Sequence, residues 1–340
     1  AIIGGLLYWG IKKANSRGMH NLQLGLVSLM LIIVAYSTTT VAVIRANANP
    51  PINMNNPSDP ARLVPYLNRE QYGDRPLLFG PSFDAKPIGL KSEPRYGRVG
   101  DKYEVIDMKY EYEYKPEDNM FFPRMGHGDD PTKVRLYKQW MGHDGKPTMG
   151  DNLSFFWRYQ LGWMYWRYFM WNFVGKQNGD QGYVPWDKSK GNWLSGISFI
   201  DNTRLGNQDQ LPSFEKNNQA RNKYYFLPFI LGIIGTIFHL KRRRNDWIGL
   251  FMLFIITGIG IIVYSNQPPI EPRERDYVLV GSFFTFAIWV GLGGLAIGEF
   301  VARKIKHMSL PGYAVAGLIA LLAPTVMAFQ DYDDIGRRGI

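Results

Sequence analysis

The chain has 340 residues, with 39 Lys and Arg against 29 Asp and Glu and a net charge of +10. It contains no cysteine, which excludes a disulfide framework and any thiolate metal site. A mean hydropathy of −0.20 suits a soluble protein, but that average mixes two apolar ends with a polar middle, so a single globular domain is excluded.

The chain opens on Ala1, inside an apolar stretch, and reads as part of a longer protein. Residues 2–11 look like the end of a truncated span. A helix needs roughly 20 apolar residues to cross a ~30 Å hydrocarbon core. Residues 22–44, 224–240, 247–264, 277–302 and 310–329 are expected to be such helices. Four of these crowd into the last 120 or so residues, which disfavours buried core helices as the explanation.

Orientation follows from the short basic loops. Lys12, Lys13 and Arg17 lie between the first two spans, Lys241 to Arg244 between the third and fourth, and Arg303, Lys304 and Lys306 between the fifth and sixth. These loops alternate so as to share one side, which is expected to be cytoplasmic. Residues 45–223, the 265–276 loop and the tail from Gln330 then face the other side. The basic clusters are thereby explained as topology signals, and nucleic acid is not expected as a partner.

Residues 45–223 are too long for a mere connection. Tyr110, Tyr112 and Tyr114 alternate with Glu111 and Glu113, which predicts a strand over 103–114. His127 with Asp129 and Asp130, and His143 with Asp144, have weak metal-ligand spacing; a metal needs three or more convergent ligands, and ordinary turns are the better reading. The stretch FFWRYQLGWMYWRYFMWNF, residues 155–173, holds Trp157, Trp163, Trp166 and Trp171 with Arg158 and Arg167. Trp and Tyr favour the headgroup level, and Arg pairs with lipid phosphate. Trp163, Trp166, Arg167 and Trp171 are therefore expected on a helix lying along the membrane surface. The rival reading is an aromatic core helix.

The 265–276 loop contains PPIEPRERD. Arg273 and Arg275 offer planar forks suited to a lipid phosphate, with Glu274 and Asp276 as supporting acids and three prolines for stiffness. A self-compensated salt-bridge turn is an equal rival. In a later span, Gly291, Gly293, Gly294 and Gly298 read as close helix packing rather than as a phosphate loop. Beyond the last span, QDYDDIGRR carries Asp331, Asp333 and Asp334, which suit a metal or a sugar phosphate and equally suit the first turn of a soluble domain.

Several stretches together resemble a bacterial family of polytopic proteins abundant in Bacteroidetes, DUF2723, related to a human transmembrane protein O-mannosyltransferase. They are NPPINMNNPSDP at 49–60, YLNREQYGDRPLL at 66–78, WMYWRYFMWNFVGKQN at 163–178, GNWLSGISFIDNTRLG at 191–206, NNQARNKYYFLP at 217–228, PRERDYVLVGSFFTFAIWVGLG at 272–293 and QDYDDIGRRG at 330–339. The resemblance implies a GT-C-type membrane glycosyltransferase whose catalytic N-terminal half lies outside this chain, leaving the catalytic base unassigned. The tail has Ile335 where the family pattern leads one to expect His.

The expected fold is an all-α polytopic membrane protein, GT-C-like, with a small mixed α/β extracytoplasmic domain. Its parts are spans over 1–44, a loop domain over 45–223, four transmembrane helices over 224–329 and the start of a tail over 330–340. The expected function is transfer of a hexose, mannose by resemblance, from a polyprenyl-phosphate donor to Ser or Thr of exported proteins. A need for a divalent metal is left open. The expected setting is a bacterial inner membrane, with loop and tail periplasmic and with membrane lipid, exported acceptors and the Sec translocon as partners. The alternatives are a non-catalytic scaffold beside the export machinery and a lipid-linked sugar transporter.

Overall fold

The protein is seen in a computed structural model that describes residues 2–68, 70, 73, 76–270 and 276–304, and residues 314, 317, 318, 321, 322 and 324–329 of the C-terminal stretch. Among the described residues it is mostly helical, with two small sheets. Three helices among the described residues are long and apolar enough to cross a membrane: His20–Asn47, Arg244–Ser265 and Tyr277–Arg303. The helix expected over 224–240 is shorter, Leu227–Arg242, 16 residues or about 24 Å. It starts late because Tyr225 and Phe226 hold φ of +52° and +59°, left-handed backbone that no helix contains. The span expected over 310–329 lies largely outside the described residues.

The chain divides into two compact units, Ala1–Asp74 with Pro87–Glu113, and Arg75–Lys86 with Tyr114–Ile340. The cut falls inside the 45–223 segment.

In the first unit, helices α1 (Ile2–Ser16) and α2 (His20–Ser37) pack together, and α3 (Thr40–Asn47) follows. Helix α4 (Pro60–Leu67) begins where a capping Asp meets a Pro in the first turn. Asp59 Oδ1 accepts from the Ala61 and Arg62 amides at 2.9 and 3.1 Å. Its Oδ2 accepts from the Arg98 amide at 3.2 Å, which fastens α4 to a long hairpin.

That hairpin pairs β2 (Pro87–Val99) with β3 (Lys102–Tyr114), and Gly100 takes φ +61° in the turn between them. One face carries ion pairs: Lys91 with Glu93, Arg95 with Asp107, and Lys109 with Glu111. Alternation puts Ile88, Leu90, Tyr110 and Tyr112 on the other face, and all four are exposed.

The second unit has a bundle and a lobe. The bundle contains α10 (Leu227–Arg242), α11 (Arg244–Ile255), π turns over Ile256–Gly260, α12 (Ile261–Ser265) and α13 (Asp276–Lys304). Helices α10 and α13 run parallel, since contacts advance together from Gly232 with Phe286 to Arg242 with Glu299. Their backbones touch. A Cβ at Gly235 would lie 1.8 Å from the Trp289 oxygen, and one at Gly293 would lie 2.0 Å from the Leu231 oxygen. Close packing is thus the role of Gly293; Gly291, by contrast, faces open space. Arg242 and Arg303 both pair with Glu299, so two of the basic clusters share one end of the bundle.

The lobe occupies the opposite end. It includes a short sheet of β1 (Phe79–Pro81) with β4 (Asn119–Phe121), helix α5 (Pro131–Met141), and α6 (Met149–Phe155), which runs through π turns over Phe156–Arg167 into α7 (Tyr168–Phe173). Two short helices, α8 (Ser198–Leu205) and α9 (Ser213–Lys216), follow before α10. One core gathers Phe83, Met125, Tyr137, Trp140, Phe155 and Tyr159. A second joins Tyr165, Phe169 and Phe173 of the Trp-rich helix to Leu231, Phe286 and Trp289 of the bundle. The Trp-rich helix therefore locks lobe to bundle.

Candidate functional site

The bundle end opposite the basic clusters is organised by a buried polar hub. It begins with Asn266, which closes α12 in left-handed backbone at φ +41°, a position Asn tolerates. Its Nδ2 donates to the Pro123 oxygen at 2.8 Å, and its Oδ1 accepts from Gln160 Nε2 at 3.1 Å. Gln160 Nε2 also donates to the Gln267 oxygen at 3.2 Å, and the Tyr159 hydroxyl donates to the Pro268 oxygen at 3.0 Å. Thus the stem of the loop between α12 and α13 rests on the Trp-rich helix.

Arg124 completes the hub. It is 1% exposed, with no carboxylate in contact among the described residues. Nη1 donates to the Val263 oxygen at 3.0 Å and Nη2 to the Leu77 oxygen at 3.1 Å. Val263 lies in the last turn of α12, so the cation meets the negative end of the helix dipole. The Phe122 ring lies 3.8 Å from the guanidinium carbon. Burial pulls the group down from its ordinary value to about 10, which still leaves it charged at neutral pH. Asn152 fixes the same turn, its Oδ1 accepting from the Arg124 amide at 2.7 Å. Arg124 Nε and Gln160 Oε1 are buried with no hydrogen bond among the described residues. The hub escaped the sequence reading. Its signals were faint: an Arg set among aromatics and prolines, and an Asn just past an apolar run.

The expectation of a surface-lying Trp-rich helix needs correction. Trp163, Arg167 and Trp171 are buried; Trp166 is 46% exposed and stacks on Phe169. Arg167 is no lipid-phosphate ligand here, because its donors are satisfied inside. Nε donates to the Trp163 oxygen at 3.1 Å and Nη1 to the Gly191 oxygen. The guanidinium lies 4.8 Å from the Trp163 ring and 5.5 Å from the Trp171 ring. A cation with carbonyls and ring faces around it tolerates burial. Replacing Trp171 by Ala should therefore cost about 3–5 kcal/mol of stability. Trp157→Ala, at an exposed site on the same helix, should stay within about 0.5 kcal/mol. Thermal melts of the two variants check this, and equal melting temperatures would refute the core placement.

The other expected site residues fare differently. Arg273, Glu274 and Arg275, the side chain of Asp276, and the tail residues Asp331, Asp333 and Asp334 lie outside the described residues. His127 approaches Asp129 at 4.0 Å, while His143 meets Asp151 at 3.3 Å rather than Asp144. Among the described residues, no three His, Asp or Glu side chains converge as a metal requires.

Residues 73–157 match the model of a family of unknown function, DUF8416. This segment covers β1 to β4, helix α5 and the start of the Trp-rich helix, including Arg124 and Asn152 of the hub. No curated protein and no solved structure matches the chain. The family resemblance stated above is thereby overturned, since the matching model is not that of DUF2723. Trp, Tyr and Arg gather at many membrane boundaries, so short aromatic stretches carry little family information.

Proposed function

We propose that this chain works at a membrane surface, where the loop between α12 and α13 presents Arg273 and Arg275 to the phosphate of a lipid-linked substrate. The carrying observation is the anchored stem, in which Asn266, Gln267 and Pro268 are held by Tyr159 and Gln160 from the buried helix. A loop fixed at its base suits the positioning of a charged group. The chemistry attached to this reading is hexose transfer from a polyprenyl-phosphate donor to exported proteins at the outer face. It draws on the sequence, which sets two arginines in a loop at the end of an apolar helix, and on the general fit of guanidinium groups to the charge of a leaving phosphate.

Arg273→Gln and Arg275→Gln, made in the full-length protein and assayed with purified polyprenyl-phosphate hexose, should each lower turnover by about 10²–10³ at unchanged thermal stability. Near-normal turnover in both would sink the phosphate role.

A scaffold beside the export machinery is the second reading, favoured by the exposed apolar face of the β2–β3 hairpin. An isolated two-stranded hairpin is marginal in water, so a covering partner would stabilise it. A photo-crosslinker at Tyr112 that captures a translocon subunit in cells, together with no detectable hexose transfer, would favour the scaffold.

A further inference from the structure

We propose a second, separate site: a groove at the basic end of the bundle that holds an anionic phospholipid. The groove, about 330 Å³, lies between α10 and α13. Phe238, Leu292 and Leu295 supply an apolar wall, and His239, Arg242, Arg243 and Glu299 a polar rim. A neighbouring hollow of about 280 Å³ is lined by Arg243, Arg244, Asn245 and Asp246, so Arg243 belongs to both.

The charges do not cancel. Lys241, Arg242, Arg243, Arg244 and Arg303 stand against Glu299 and Asp246. Glu299 is shared by Arg242 and Arg303, and Asp246 lies 3.7 Å from Arg243. Lys241 and Arg244 make no ion pair among the described residues. The surplus is therefore positive, and the Arg243 side chain is 74% accessible.

Position decides the ligand class. This is where Arg244–Ser265 starts and Tyr277–Arg303 ends, the depth at which hydrocarbon gives way to headgroups. A guanidinium fork matches phosphate oxygens in pairs, and an apolar wall beside it matches an acyl chain. Basic pockets between membrane helices bind anionic headgroups for this reason. A soluble phosphate would use the arginines and leave Phe238, Leu292 and Leu295 without a role. A cluster that served only as a topology signal would need no groove.

The test uses the full chain in nanodiscs of phosphatidylglycerol or of phosphatidylcholine, with retained lipid read by native mass spectrometry. The expected result is at least a tenfold preference for the anionic lipid. Arg243→Gln with Arg244→Gln should reduce that preference about tenfold with an unchanged circular dichroism spectrum. Leu292→Trp, which fills the groove and keeps every charge, should reduce it as well. Equal retention of the two lipids would overturn the proposal, as would a preference that survives both the double variant and Leu292→Trp. Displacement of the anionic lipid by millimolar inorganic phosphate would reassign the site to free phosphate and overturn it too.

Discussion

Arg124→Ala should lower stability by about 3–5 kcal/mol, among the largest effects of any single change in the lobe. The substitution empties a fully buried volume and leaves the Val263 and Leu77 oxygens without their donor. It also strips the cation from the end of α12, where the helix dipole favours one. The opposing term is relief from burying a charge without a carboxylate, and it separates two further variants. Arg124→Lys keeps the charge but lacks the fork, so it should reach one carbonyl and lose an intermediate amount. Arg124→Met keeps the bulk and drops the charge; if it melts at or above the wild-type temperature, the guanidinium is no clamp. The pH behaviour follows from the lowered value. The penalty on the charged form is fully present below about pH 10 and fades as pH rises above that. Between pH 5 and 9 this residue should add no slope to the stability curve, which a pH series of melts in wild type and Arg124→Met checks.

Gly235→Ala should separate α10 from α13, at a cost of about 3 kcal/mol or more. The added methyl would stand 1.8 Å from the Trp289 oxygen and 2.6 Å from the Gly293 nitrogen. Both are backbone atoms, so no side chain can rotate away. Gly293→Ala meets the Leu231 oxygen at 2.0 Å and should act alike. Gly291→Ala is the control on the same helix, because nothing lies within 4 Å of its would-be Cβ; it should be neutral or slightly stabilising. Since the chain has no cysteine, a pair of cysteines placed at Phe238 and Leu295 reports the separation cleanly. Crosslinking should fall sharply in Gly235→Ala and persist in Gly291→Ala. Equal crosslinking in both would contradict the contact.

What the sequence disclosed follows from how each feature is encoded. Long apolar runs are a one-dimensional signal, so 247–264 and 277–302 fall within Arg244–Ser265 and Tyr277–Arg303. The strand over 103–114 was legible because tyrosines alternate with acids there. Its partner Pro87–Val99 was not, because Pro87, Gly89, Pro94 and Gly97 erase the alternation that marks a strand. The Trp-rich helix misled for a different reason. Its composition fits both a membrane surface and a core, and the deciding facts are the carbonyls of Trp163 and Gly191 that satisfy Arg167. Satisfaction by distant backbone leaves no trace in local spacing. The hub shares this property. Arg124 and Val263 stand 139 positions apart, and nothing near either announces the other.

The π turns over Phe156–Arg167 carry a consequence for chain length. A π turn closes its hydrogen bond one residue later than an α turn, so the helix here accommodates extra residues without advancing its faces as an α-helix would. Tyr159 and Gln160 must meet the loop stem at Pro268 and Gln267 while Phe169, farther along, meets Phe286. Both ends stay in phase only at the present residue count. Deleting one residue and rewinding the stretch as α would swing everything beyond it by about 100°, turning Phe169 away from its pocket. This helix should therefore accept point substitutions at exposed Trp157 far more readily than any insertion or deletion between Phe156 and Arg167.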